Sequence, residues 1–479
     1  MAKIIGRKEE LGLLEEIYGS GKAEFVAVYG RRRIGKTFLV REFFKNRFAF
    51  CHTGLSPYEL SGKRLLSEQL RNFGYSLARY GSQLAGMPKD WTEAFGLLIE
   101  LLESQNPRGR QVVFIDELPW LDTPRSGFVT AFEHFWNGWG AGQDNLLLIV
   151  CGSASSWISD KLINNTGGLY GRVTREIRLS PFSLAECETF FEAKGIRMDR
   201  YDIIQSYMVF GGIPYYLDAF RKGLSFAQNI DALLFGKEAV FAKEFDRLFA
   251  SLFVNAEDYM ELVKLLAGSH RGYTRKEISD KYKASGGGLT HMLSALEHSD
   301  FITACPDYKG SARSPRYKLT DPFCLFHLHF RDKTGRADAS YWQDNNLSPA
   351  LNAWRGCAFE NICFCHIAEI KRALGISGVS TTVSSWSFRG DDNRDGTQID
   401  MLIDRADRIL NLCEIKYCTG EFIISRDYDR KLRERIRTFN DVTGNTRTVH
   451  LTLICTFGLR QNEYAGHIQR VITMDDLFR

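Results

Sequence analysis

A chain of 479 residues with 44% hydrophobic and 25% charged side chains has the length of roughly three domains and an ordinary globular composition, which excludes a peptide or a disulfide-stapled mini-protein. Its 62 basic and 58 acidic side chains leave a net charge of +4, too weak a field for a nucleic-acid coat, so any nucleic-acid contact has to be local. The longest apolar runs, such as residues 146–151, are far below a membrane span, the opening MAKIIGRKEELG has no secretory apolar core, and eleven cysteines without CxxC spacing fit free thiols; a cytoplasmic protein without a membrane partner is expected.

In chain order, residues 25–29 predict a buried strand that runs directly into GRRRIGKT at 30–37, followed by an apolar-periodic helix from Phe38. This fits the phosphate-binding pattern GxxxxGK[ST] in its strand–loop–helix setting. Gly30 and Gly35 let backbone N–H groups curl around phosphates, Lys36 neutralises the anionic oxygens, and the Thr37 hydroxyl is a ligand for Mg²⁺. A helix is expected over 94–103. The strand at 112–115 then ends in Asp116 and Glu117. Asp116 is placed to hold Mg²⁺ through water and Glu117 to orient or deprotonate the attacking water; a helix-capping role is the alternative for Glu117. A third strand at 146–151 delivers Gly152 and Ser153, where a hydroxyl could sense the γ-phosphate or simply end the strand in a turn. Alternating strands and helices imply a parallel α/β sheet.

From 184 to about 250 helical signals dominate, with helices over 185–193, 203–208 and 226–234, which reads as a helical lid. Residues 257–320 read helix, helix after Thr274, a GGG turn at 286–288, helix 290–297 and two short strands, the order of a winged helix-turn-helix. Arg271, Arg275 and Lys276 precede or open its second helix, leaving DNA contact and an interdomain or protein-binding wedge both open. His327 and His329 lie in a strand-like run at 326–330, and a connector is expected near 331–345.

A helix beginning near Phe359 carries Glu360 in an apolar setting that implies burial. Strands follow at 398–403, with Asp400, and 409–416, with Glu414 and Lys416. Residues two apart on a strand share a face, so Glu414 and Lys416 point together, and an antiparallel neighbour could bring Asp400 alongside. Two acids sharing Mg²⁺ with a lysine to position water are what metal-assisted phosphodiester cleavage needs. The alternatives are a cross-strand ion pair for Glu414 and Lys416 and a buried acid met by a backbone donor for Glu360. The run 425–437 holds six basic and three acidic residues, equally suited to tracking phosphates or forming a solvated helix face. Cys363, Cys365 and His366 lack zinc-finger spacing and read as core residues. No HExxH, GxSxG or dinucleotide-binding fingerprint appears.

The set Ile5-Gly6-Arg7, GRRRIGKT, FIDELPW at 114–120, CGSASSW at 151–157, GGLYGR at 167–172, LSPF at 179–182 and GGIPYYL at 211–217 resembles the archaeal-type ATPases, relatives of the AAA+ and STAND NTPases. The likeness extends to HLTLICTFGLRQNEY at 450–464 and MDDLF at 474–478. It implies an ATPase core, a helical lid, a winged helix and a nuclease-like C-terminal domain, with Gly6 and Arg7 near the adenine and Pro214 packed on the base, although Pro214 alone also suits a helix-breaking turn. Arg172, after Gly171, would act on γ-phosphate charge in cis or from a neighbouring subunit, or stand solvated on its loop. The order Glu360, Asp400, Glu414-x-Lys416 is similar to the PD-(D/E)XK nucleases.

The fold expected is therefore α/β: a P-loop NTPase parallel sheet over 1–180, a helical lid over 181–255, a winged helix over 256–330 and a restriction-endonuclease-like α/β domain over 345–479. ATP and Mg²⁺ are the expected ligands and DNA a candidate partner, with oligomerisation left open. The function expected is ATP hydrolysis coupled to the C-terminal domain acting on DNA; the alternative is a STAND-like nucleotide-gated switch whose C-terminal domain binds a partner and cuts nothing.

Overall fold

The computed structural model describes all residues except 1–3, 58–61, 84–85, 106–108, 154, 165, 237, 254, 283–285, 310–314, 332–338 and 393. The chain divides into two compact units. The first comprises Met1–Pro181, Asp246–Glu257 and Ser294–Asp300; the second comprises Phe182–Phe245, Asp258–Leu293 and Phe301–Arg479.

Five strands build the first unit: β1 (Glu24–Tyr29), β2 (Phe50–Thr53), β3 (Gln111–Asp116), β4 (Leu146–Gly152) and β5 (Arg175–Arg178). They form one parallel sheet in the order β2-β3-β4-β1-β5. Alternation sends Phe25 and Ala27 into a core shared with Trp91, Phe95, Phe128 and Phe132, while Val26 and Val28 enter a second core with Leu14, Ile17, Leu39 and Val40. Both faces are covered, which is why these strands read as unbroken apolar runs rather than alternating ones. Because β1 lies between β4 and β5, and β3 beside β4, the carboxyl ends of β1, β3 and β4 lie along one edge, where open parallel sheets bind ligands.

The second unit opens with helices. Leu184–Ala193 starts at a capping box between Ser183 and Glu186, and Arg200–Phe210 stops at Gly211 in the left-handed conformation. A small antiparallel sheet follows, β6 (Tyr273–Thr274), β7 (Ile302–Cys305) and β8 (Arg316–Leu319) in the order β6-β8-β7, with the helix Arg275–Tyr282 after β6. Gly287 and Gly288, expected in a turn, belong to the next helix, Gly287–His298.

The last sheet holds β9 (Thr381–Phe388), β10 (Thr397–Arg405), β11 (Ile409–Lys416), β12 (Thr448–Cys455) and β13 (Arg470–Thr473) in the order β13-β12-β11-β10-β9. β9, β10 and β11 are antiparallel; β11, β12 and β13 are parallel, which requires the crossover helix Arg426–Thr443. Leu432 and Phe439 of that helix pack with Leu410, Leu412, Trp386 and Leu451 of the sheet.

Three local expectations are corrected. The run with His327 and His329 is helical: Pro322–Phe326 starts under the Asp321 cap, whose carboxylate accepts the N–H of Cys324, and continues as a wider π turn over His327–Arg331. The helix carrying Glu360 starts at Pro349, ten residues before Phe359, because Ser348 caps it with a proline at the first position. Of the connector near 331–345, residues 332–338 lie outside the described ones, and Tyr341–Asn345 is a helix.

Candidate nucleotide and carboxylate sites

At the end of β1 the loop 30–35 turns back on itself through Gly30 (φ 141), Arg33 (φ 74) and Gly35 (φ 91), and the helix Lys36–Phe43 begins. A Cβ on Gly30 would sit 2.3 Å from the Leu179 carbonyl oxygen, so only glycine fits there; at Gly35 nothing lies within 4 Å of that position, which leaves the cradle open over the helix N-terminus. Lys36, only 6% exposed, donates from Nζ to the carbonyls of Gly30 (2.9 Å) and Arg31 (3.0 Å), which keeps its charge inside the loop.

Across the sheet edge, Thr37 Oγ1 donates to Asp116 Oδ2 at 2.9 Å, and Asp116 Oδ1 accepts the Glu117 N–H at 3.0 Å. Glu117 is held in the left-handed region (φ 49), a conformation costly for a non-glycine residue. Its carboxylate accepts the Ser153 hydroxyl at 2.9 and 3.2 Å and the Ser153 N–H at 3.2 Å. The sequence offers Ser153 as a phosphate sensor or a plain turn residue; its grip on Glu117 is the relation that the sequence order alone did not reveal. The donor set of glycine cradle, buried lysine and Thr37–Asp116 pair fits a nucleotide triphosphate with Mg²⁺.

Gly6 (φ 67) and Arg7 (φ 57) make the tight entry to the helix Lys8–Gly19. The buried Arg7 guanidinium donates to the carbonyls of Ser180 (2.7 Å) and Ile34 (3.5 Å), tying the amino terminus to the phosphate loop. Arg172 stands exposed, its backbone N–H bonded to the Leu169 carbonyl. Pro214 is the first residue of the helix Pro214–Asp218 in the second unit, after Gly211 and Gly212, where a Cβ on Gly212 would lie 2.3 Å from the Phe182 carbonyl oxygen.

In the C-terminal sheet, the pairing of β10 with β9 shifts between Ile399 and Leu402, a bulge that contains Asp400. The β10–β11 register pairs Met401 with Cys413, so Asp400 stands one step on, at Glu414, and its Oδ2 accepts the Ile415 N–H at 3.3 Å. Burial, then the nearby Glu414 and Glu360 carboxylates, push Asp400 up to about 7. Glu414 is 1% exposed. It accepts Lys416 Nζ at 2.8 Å and also pairs with the Arg435 guanidinium and the Tyr428 hydroxyl. Burial pushes Glu414 up, but Lys416 and Arg435 outweigh it and hold the carboxyl below its usual range; burial pulls Lys416 down, and Glu414 outweighs it and raises it. Glu360 is bonded to His270 Nε2 at 2.7 Å, and hydrogen bonds donated by the ring to Cys357 and then to Glu360 raise His270 to about 9.

Asp400, Glu414 and Lys416 thus meet at one place, with Glu360 close enough to Asp400 to raise its pKa. Among the described residues no three His, Cys, Asp or Glu side chains are arranged to hold a metal, so a cation here would take Asp400 and Glu414 with water or substrate oxygens, a donor set that fits Mg²⁺. Of the basic residues of the crossover helix, Arg430 pairs with Asp427 and Glu434 and Arg433 with Asp429 along the helix, while Arg435 reaches Glu414 on β11. Arg435, Tyr428 and His270 were missed as site residues. Arg435 and Tyr428 lie on the crossover helix Arg426–Thr443 outside any motif, and only its packing on the sheet turns them toward Glu414; His270 sits beside Arg271, which the sequence did single out. His366 is a core ring, buried at 1%, with Nδ1–H donating to the Ile362 carbonyl (2.8 Å) and Nε2 accepting the Leu184 N–H (3.1 Å).

Residues 4–220 match the family described as an ATPase domain predominantly from Archaea. An uncharacterised protein of Methanocaldococcus jannaschii is 23% identical over 397 residues, 81% of this chain and 82% of that protein, and an uncharacterised ATP-binding protein of the same organism is 46% identical over 43 residues, 9% of this chain and 73% of that protein. Among solved structures, the Walker-type ATPase of Pyrococcus abyssi is 20% identical, covering 68% of this chain and 96% of that one with a TM-score of 0.45. No helix among the described residues is long and apolar enough to cross a membrane. With the glycine cradle, Lys36, Thr37 and Asp116 assembled inside the matched segment, residues 4–220 are an archaeal-type, ATP-binding P-loop ATPase domain.

Proposed function

We propose that the chain hydrolyses ATP at the P-loop and that this cycle governs a metal-dependent phosphodiesterase in the C-terminal sheet, acting on DNA. At the P-loop, Lys36 would neutralise phosphate oxygens, Thr37 and Asp116 would hold Mg²⁺, and Glu117 would take the proton of the attacking water once released from Ser153. Arg172 would meet developing γ-phosphate charge, and Gly6 and Arg7 would contact the adenine. In the C-terminal sheet Asp400 and Glu414 would hold the cation, Lys416 would position water, and Glu360 would complete the acidic wall. A bound divalent cation supplies charge neutralisation at the scissile phosphate.

The observation that carries the second half is the bulge in β10 that sets Asp400 against Glu414, with Lys416 on the same face two residues on. Incubating the full chain with labelled DNA, ATP and Mg²⁺ or Mn²⁺ tests it. Cleavage is expected from the unaltered protein and lost in Asp400→Ala with ATP turnover retained; absence of cleavage with either metal rejects it. A second reading, a nucleotide-gated switch with a partner-binding C-terminal domain, is favoured by one feature: Glu414 already has Lys416, Arg435 and Tyr428 around its carboxylate.

A further inference from the structure

Next to Asp400 the second unit is hollowed by a cleft of about 160 Å³, lined on one side by the β7–β8 hairpin and Arg271 and on the other by Glu360, Phe364 and the β9–β10 strands. Arg271 and Gln398 also line an adjoining hollow that reaches Arg389 and Arg435, so a groove leads from Asp400 past Arg271 to Arg389.

The cations of this groove differ in how they are held. Arg316 is neutralised by Glu277 (3.1 Å) and Asp307 (3.2 Å), and Arg435 by Glu414. Arg271 instead donates to the neutral Gln398 amide oxygen (3.0 and 3.3 Å), and Lys318 lies 5.7 Å from the Phe364 ring centroid. Among the described residues no carboxylate pairs with Arg271, Lys318 or the exposed Arg389. A cation held by an amide or a ring keeps its charge for an incoming anion. Of the acids on the wall besides Asp400, Glu360 is covered by His270 and Asp307 by Arg316, which limits their repulsion of a phosphate. Hydroxyls of Thr303 and Thr320, 2.9 Å apart, add neutral donors between the charges.

Volume selects the ligand. At roughly 15 Å³ for each water, the cleft of about 160 Å³ beside Asp400 takes on the order of ten waters, the scale of a sugar–phosphate unit of one strand and far too little for two paired strands. We propose that this groove binds a single strand of nucleic acid, with Arg271, Lys318 and Arg389 on its backbone phosphates, and so feeds a phosphodiester link to Asp400. The inference rests on the phosphodiesterase reading for its purpose, but its binding claim is separable from it.

Fluorescence anisotropy on the full chain, without divalent cations, would use a short labelled single-stranded DNA, the same sequence as RNA, and the corresponding duplex. Single strands should bind about tenfold or more tightly than the duplex, with affinity falling with salt at a log–log slope of about −2, as about three phosphates on a single strand give. Arg271→Ala and Lys318→Ala should each weaken binding and flatten that slope by about 0.7, while Lys318→Arg retains it. An unchanged thermal midpoint in these variants establishes that folding is intact. Equal or tighter duplex binding, an unchanged salt slope in both variants, or no binding of any probe overturns the proposal. Strand binding without cleavage leaves the groove standing and rejects the phosphodiesterase; cleavage unaffected by both variants does the reverse. A DNA–RNA difference identifies which strand the groove prefers.

Discussion

At the P-loop the charged side chains rest on neutral partners: Lys36 on two backbone carbonyls, Asp116 on a hydroxyl and an amide, Glu117 on Ser153. In the C-terminal sheet the balance is internal, with Glu414 between Lys416 and Arg435 and Glu360 on His270, whereas Asp400 lies against Glu414 and Glu360 and, among the described residues, takes a hydrogen bond from the backbone N–H of Ile415 alone. A site of the first kind holds its charges in readiness for a ligand from outside, and losing one of them chiefly harms binding. A site of the second kind is also part of the fold's own electrostatics, so losing one member leaves its partners buried and uncompensated.

The largest expected effect on ligand binding is Lys36→Ala, which removes the buried cation from the cradle. ATP affinity should fall by about ten- to a hundredfold, since a charged hydrogen bond is worth about 1.5–3 kcal/mol and each 1.4 kcal/mol is tenfold. Titration calorimetry with Mg²⁺ and ATP reads it, and the melting point should hardly move. Retained affinity would break the assignment of the loop as the nucleotide site.

Glu414→Ala should behave in the opposite manner, leaving ATP binding intact while destabilising the second unit by about 3–5 kcal/mol, because Lys416 and Arg435 lose their buried counter-charge. Urea unfolding followed by tryptophan fluorescence measures this. A loss below about 1 kcal/mol would mean that the ion pairs are as weak as surface ones.

Asp400→Asn sharpens the contrast inside the same cluster. Removing a negative charge that stands beside Glu414 and Glu360 should raise stability by about 0.5–2 kcal/mol while abolishing cleavage, the pattern of a group retained for chemistry rather than for folding. A destabilised Asp400→Asn protein would place Asp400 among the structural acids.

The two regions were unequally legible in the sequence for the same reason that their charges differ. Gly30, Gly35, Lys36, Thr37, Asp116 and Glu117 lie on two short contiguous stretches, and each strand that delivers them is an unbroken apolar run, so spacing alone nearly fixes their geometry. Asp400, Glu414 and Lys416 were legible because strand alternation determines which faces they share. Arg435, Tyr428 and His270 were not, since they reach the cluster from a crossover helix and from a turn some ninety residues before Glu360, and no local pattern encodes which face of an amphipathic helix turns inward at a given residue. The helix over 322–331 misled for a simpler reason: His327 and His329 alternate with Phe326, Leu328 and Phe330 over five residues, too short a window to separate a strand from a helix whose Asp321 cap settles the matter.

The smallest effect concerns a charge that the first unit excludes. His52 on β2 lies beside the Phe73 ring, centroids 4.8 Å apart, with Nδ1 bonded to the Ser76 hydroxyl and Nε2 buried without a hydrogen-bond partner among the described residues. Burial lowers its pKa from 6.5 to about 3. Above pH 6.5 the ring is neutral in both folded and unfolded chains and stability does not depend on it. Below 6.5 the unfolded chain takes up a proton that the fold refuses, so stability falls by about 1.4 kcal/mol for each pH unit until the folded ring itself titrates. His366, also lowered by burial, adds a slope of the same sign, so the informative quantity is a difference. His52→Leu should flatten the fall in melting temperature between pH 6.5 and pH 5 relative to the unaltered protein, while costing stability at pH 7.5 through the lost Ser76 bond. Identical slopes in the two proteins would mean that a proton can enter this part of the core and that the burial of His52 does not exclude its charge.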